Sequence, residues 1–123
     1  MKISENIYST GEIGSWKREQ SLILNTKKGL IVMGGCAHQG IMRSVEKAKK
    51  LIRGDILLVI GGFGPDSGRD ILNLKKLGVR FASPCFCSQD KARREFSVDY
   101  GENFMRVWAG KIIGTDELYL ESF

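Results

Sequence analysis

Two short runs in this chain contain no polar residue, Leu30 to Met33 and Ile56 to Ile60. Uninterrupted apolar runs of about four to eight residues bounded by turn residues are the mark of strands covered on both faces. Between them, Ile41, Met42, Val45, Ala48, Leu51 and Ile52 recur at helical spacing while Arg43, Lys47 and Lys50 fall elsewhere. That spacing predicts a helix from Ile41 that stops near Arg53-Gly54. Upstream, Asn6 to Ile13 and Ser21 to Asn25 read as strands, and Lys27-Lys28-Gly29 as the turn into Leu30, giving a small antiparallel meander. Downstream, Gly61-Gly62-Phe63-Gly64-Pro65 closes the second apolar strand, and a helix from about Ser67 to Leu77 turns Ile71, Leu74 and Leu77 inward before stopping at Gly78. Val79 to Phe86 is the next strand. Ser88 is the expected cap of a charged helix holding Ala92 and Phe96, and Phe104 to Ile113 and Glu117 to Leu120 are the closing strands.

Strands followed by alternating helices and strands predict an α/β fold with a mixed β-sheet and right-handed crossovers, built as one domain over residues 1–123. Three helices are few to cover both faces of such a sheet. If they lie mainly on one face, the other face calls for a partner, of which a second copy of the chain is the simplest.

Composition narrows the classes. The 123 residues are 42% hydrophobic, enough for a modest core. No stretch approaches the roughly 20 apolar residues that cross a bilayer, and Met1 to Asn6 lacks an apolar signal core, so a cytoplasmic protein without membrane contact is expected. Three cysteines cannot all pair within the chain, and reduced thiols are the expectation. The net charge of +5 reflects lysines and arginines scattered among acids, with local basic clusters at Lys47, Lys49, Lys50 and Arg53 and at Lys91, Arg93 and Arg94. They carry no interleaved aromatic residues and read as solvated helix faces, so no nucleic-acid partner is expected. Asp66, Asp70, Asp99 and Glu102 have no spacing that fixes an acid and base pair. Trp16, Trp108, Phe63 and Phe104 are expected in core or interface.

The candidate chemistry gathers at strand ends. Gly34-Gly35-Cys36-Ala37-His38-Gln39-Gly40 follows the first apolar strand and holds the only histidine beside a thiol. In open α/β sheets, ligands collect at the carboxyl ends of strands. Cys36 and His38, with Cys85 and Cys87, would share one rim of the sheet and form a donor set that tetrahedral zinc accepts. The plainer reading makes the cysteines small buried apolar residues and ties His38 to turn backbone. A Cys85–Cys87 disulfide is disfavoured, because alternate strand residues lie near or beyond the separation such bonds prefer. Gly61, Gly62, Phe63 and Gly64 form a second part of the rim, read as a tight turn rather than a phosphate loop since no Gly-Lys-Ser/Thr ending follows.

Several blocks in order, Glu19-Gln20-Ser21-Leu22, Lys28-Gly29-Leu30-Ile31-Val32, Gly35-Cys36-Ala37-His38-Gln39-Gly40-Ile41, Ile60-Gly61-Gly62-Phe63 and Pro84-Cys85-Phe86-Cys87, are similar to the C-terminal half of metallo-β-lactamase-fold proteins. The branch they resemble is that of the dihydropterin synthase-like enzymes of methanopterin biosynthesis. The resemblance implies half of an αββα sandwich. It also implies a dinuclear metal site built from a His-x-His-x-Asp-His motif and C-terminal-half ligands. This sequence contains no His-x-His-x-Asp-His, and Gly64 and Phe86 stand where the family carries histidines, which leaves His38. Gly64 and Phe86 supply no ligand atom. The expectation is a non-catalytic, partner-dependent half-domain that uses no cofactor, with zinc at the Cys-His rim as the exception. The alternatives are a subunit of a split metal-dependent hydrolase or synthase completed by a complementary N-terminal half, and a small zinc- or ligand-binding module. No catalytic residue is assigned.

Overall fold

The computed structural model describes residues 1–38, 40–63, 67–85 and 88–115, with Ser67 described by its backbone alone. Its elements are β1 (Lys2–Ser4), β2 (Ile7–Ser9), β3 (Leu22–Thr26), β4 (Gly29–Met33), α1 (Ile41–Leu51), β5 (Ile56–Gly61), α2 (Ser67–Lys76), β6 (Phe81–Pro84), α3 (Asp90–Tyr100) and a short 3₁₀ turn at Gly101–Asn103. The strands form one sheet in the order of the sequence. The first four pair antiparallel, whereas β4, β5 and β6 pair parallel through the crossovers α1 and α2.

Register sorts the side chains into two faces. Tyr8, Ile23, Val32, Val59 and Ala82 are successive partners across β2 to β6 and point to one face. All three helices pack there: Ile41, Val45 and Ala48 of α1, Ile71 and Leu74 of α2, and Phe96 and Tyr100 of α3 join those strand residues in one buried cluster. Within it Phe96 meets Phe63 edge-on at 4.6 Å and stacks with Tyr100 at 5.8 Å. The opposite face carries Ile7, Leu24, Ile31, Leu58 and Phe81 in one row, and Leu22, Met33 and Ile60 in the next. The partners shift by one residue between Leu30–Ile56 and Ile31–Leu58. Leu57 is thereby an extra residue that rejoins Leu58 on the second face, where both are buried.

The expected elements hold with several corrections. The strand over Asn6 to Ile13 is interrupted: β2 ends at Ser9, and Gly11, at φ 74°, turns the chain away. Ile13 pairs with Glu19 in an isolated bridge. β1 is a further strand, joined to β2 by a turn in which Asn6 adopts φ 64°, a conformation asparagine tolerates better than most residues. Val79 to Phe86 reduces to β6 among the described residues. Leu51, placed on the inner face of its helix by spacing, is 46% exposed because it lies in the last turn.

The strand over Phe104 to Ile113 does not form. Phe104 makes a single parallel bridge to Ala82, after which the chain leaves the ladder. Met105 and Ile113 instead lie on the second face against the cluster of Ile31, Leu57, Leu58 and Phe81. That face is therefore partly covered by its own chain. Leu22 and Met33, side by side across β3 and β4, remain 39% and 37% exposed. The strand expected over Glu117 to Leu120 lies outside the described residues.

Candidate functional site

The carboxyl ends of β4, β5 and β6 form one rim, as the sequence predicts for the loops that follow parallel strands. Backbone hydrogen bonds join the three loops: Gly34 N–H donates to Ile60 O at 2.8 Å, Gly62 N–H to Gly35 O at 2.6 Å, and Cys85 N–H to Gly61 O at 2.8 Å. Gly61 has to be glycine. It sits at φ 154°, and a Cβ there would stand 2.8 Å from the Gly34 carbonyl oxygen, closer than real Cβ atoms approach backbone.

Ser88 fastens the rim to the start of α3. Its hydroxyl accepts the Phe63 N–H at 2.8 Å and donates to Gly61 O at 3.5 Å, both buried. It is not the helix cap expected of it; Gln89 occupies the N-cap position, and no side chain caps the helix. A buried amide in the Gly61–Phe63 loop draws the hydroxyl inward instead. Arg93 completes the junction, donating through Nη1 to Ser88 O at 2.9 Å and Cys85 O at 3.5 Å and pairing through Nη2 with Asp90.

His38 does not bond to turn backbone as the plainer reading holds. Its Nδ1 lies 2.5 Å from Oε1 of Glu19, brought over from the loop between β2 and β3 by the Ile13–Glu19 bridge. A carboxylate only accepts, so Nδ1 carries the hydrogen, and the neutral ring keeps its lone pair on Nε2. A carboxylate behind a histidine in this way is the arrangement that fixes the tautomer of a ligating or proton-transferring imidazole. Glu19 stands in the first of the motif blocks, where nothing in the sequence gives it a role. The separation of 19 residues between the partners offers no local signal.

Of the candidate donors, Cys36 is exposed and Cys85 half-buried, so neither is the small buried apolar residue anticipated. Cys87 and Gly64 lie outside the described residues, as does Phe86. Gly61, Gly62 and Phe63 are buried and form the wall behind the rim. Among the described residues no group of three or more His, Cys, Asp or Glu side chains comes together in a way that could hold a metal ion. The described donors therefore do not fit the dinuclear centre that the family resemblance implies. Trp16 and Trp108, expected in core or interface, are 80% and 61% exposed, whereas Phe63 is buried.

A mixed sheet with helices on one face, and a glycine-rich histidine loop at the carboxyl end of its first parallel strand, define a protein of metallo-β-lactamase fold. The structure aligns with a solved protein described as a metal-dependent hydrolase of the β-lactamase superfamily, with a TM-score of 0.78 over 90% of this chain and 54% of that one, at 24% identity. By sequence the chain is 40% identical over 102 residues to the 7,8-dihydropterin-6-methyl-4-(β-D-ribofuranosyl)-aminobenzene-5'-phosphate synthase of Methanocaldococcus jannaschii, a match covering 77% of this chain and 35% of the synthase. The dihydropterin synthase-like resemblance read from the motif blocks is thus the one found. The chain spans about a third of that synthase and about half of the solved hydrolase. No family model matches it.

Proposed function

We propose that this chain is a partner-dependent half of a metallo-β-lactamase-like sandwich that is not catalytic by itself, and that a second copy is its simplest partner. The observation that carries the reading is the row Leu22, Met33 and Ile60 on the sheet face opposite the three helices, with Leu22 and Met33 more than a third exposed. In an αββα sandwich that face packs against another sheet. Two copies meeting there would form an isologous interface, for which about 800 Å² per partner is the usual scale. The same reading needs no metal. Native mass spectrometry of protein purified without added metal or chelator tests it. A metal-free homodimer is the expected species, and a well-folded monomer would overturn the proposal.

A second reading rests on a separate observation, the Glu19–His38 pair. A histidine oriented through Nδ1 is prepared to contribute Nε2 to a shared centre completed by a complementary chain, which would make this protein a subunit of a metal-dependent hydrolase or synthase. In that case the chain would bind zinc only together with such a partner, and Glu19→Gln would weaken the joint site by roughly tenfold or more. Stoichiometric zinc on the isolated monomer would instead favour a small metal-binding module using Cys36, His38, Cys85 and Cys87.

A further inference from the structure

Beside the rim, at the outer edge of β6, lies an open groove of about 990 Å³. Its base is Pro84 and Cys85, one wall is the first turns of α3 with Arg94 and Ser97, and the other is the segment Phe104 to Ala109 that carries Arg106 and Trp108. Arg94 belongs to the basic cluster that begins at Lys91 and Arg106 to no cluster, so the sequence alone does not join them in one site.

Charge within the groove is unbalanced. Arg93 is committed to Asp90 and to the carbonyls of Ser88 and Cys85, so it serves as scaffold. Arg94 and Arg106 line the two walls, and among the described residues neither side chain has an ion-pair or hydrogen-bond partner. Asp90, the one carboxylate lining the groove, is paired with Arg93, so Arg94 and Arg106 are left in excess and favour an anionic occupant. Trp108 adds an exposed aromatic surface, with the Lys111 ammonium 5.1 Å from its ring centroid.

The shape distinguishes between anionic occupants. Small-molecule sites enclose most of their ligand. Here Arg94, Arg106, Trp108 and Ala109 are all exposed, and the trough is open along its length. Exposed tryptophan and arginine around an apolar floor of Pro84, Phe104 and Val107 are the residue types that dominate protein-protein hot spots. We infer that this groove is a docking site for an extended acidic segment of a partner protein, whose carboxylates pair with Arg94 and Arg106 while its apolar side chains pack on Phe104, Val107 and Trp108. The inference rests on other residues than the sheet-face interface above, which uses Leu22, Met33 and Ile60 of β3 to β5.

The test uses Trp16→Phe protein, which leaves Trp108 as the only tryptophan. The probe is a six-residue peptide of alternating glutamate and leucine, with glutamine replacing glutamate in the control, in low-salt buffer. The expected result is a saturable shift in Trp108 emission with the acidic peptide, weakened tenfold or more by glutamine replacement, by Arg94→Ala with Arg106→Ala, and by physiological salt. Circular dichroism of the double variant should be unchanged, since both side chains are exposed. Absence of binding, or equal binding by the double variant, overturns the proposal. So does a shift reproduced at lower concentration by inorganic phosphate, which would mark a simple anion site, or by a single-stranded thymidine oligonucleotide, which would mark a nucleic-acid surface.

Discussion

Ser88 and Gly61 show how much of the rim depends on single residues. Ser88→Ala removes the acceptor of the buried Phe63 N–H and leaves that donor without its protein partner. An unsatisfied buried amide costs about 1–3 kcal/mol, so chemical denaturation of this variant should give an unfolding free energy lowered by that amount, seen as a lower midpoint with an unchanged slope. Gly61→Ala is more severe. The new methyl meets the Gly34 carbonyl, which belongs to backbone and cannot swing away, in a conformation L-residues avoid. A loss of about 2–4 kcal/mol is expected, read in the same titration, and an effect below about 1 kcal/mol would show that the two loops can part. Glycine at position 61 was legible in the sequence as a turn residue. Ser88 was legible only as a helix cap, because its true partner lies 25 positions earlier in the chain.

Among the elements, α3 is joined to β6 most closely through its last residue. Tyr100 is 8% exposed, its hydroxyl donates to Val79 O at 3.2 Å just before β6, and burial raises its pKa from 10.0 to about 12. The neutral phenol is therefore the form the folded state holds. In the unfolded chain the phenol ionises around its ordinary value of 10.0, while the folded protein resists ionisation until about 12, so the unfolded state loses protons first and stability falls as pH rises through that window. Thermal melting between pH 9 and about 12 should show this decline, worth up to about 2 kcal/mol. Tyr100→Phe should flatten it while lowering stability modestly near neutral pH. If the alkaline limb is unchanged in the variant, lysine titration and not Tyr100 accounts for it. The helices themselves were plain from spacing because amphipathic periodicity is local, and α1 starts at the predicted Ile41. The segment after Phe104 was not plain. Its residues have the composition of a strand, yet Met105 and Ile113 are drawn across the sheet face by apolar burial against Leu58 and Phe81.

At the scale of the molecule, the two faces of the sheet carry the functional argument. One is sealed by the helices, and the other keeps Leu22 and Met33 in a row with Ile60. If that row is an interface between copies, Leu22→Glu with Met33→Glu should convert the dimer to a monomer, read by light scattering, without loss of secondary structure. Both side chains are more than a third exposed, so charge there costs the isolated fold little. A double variant that stays dimeric would move the interface elsewhere on the surface.

What the sequence determined alone was the set of elements whose signals are local: two apolar strands, the amphipathic helices, the glycine turns and the motif blocks that resemble the metallo-β-lactamase fold. Period-2 and period-3.6 patterns act between neighbours in the chain, so they need no folded context. The tertiary structure decided what depends on distant residues meeting. It brought Glu19 to His38, turned Ser88 inward to the Phe63 amide, laid the segment beyond Phe104 over the second sheet face, and brought Arg94 and Arg106 to one groove. Each of these follows from a group seeking a partner or cover that its own neighbours in sequence could not supply.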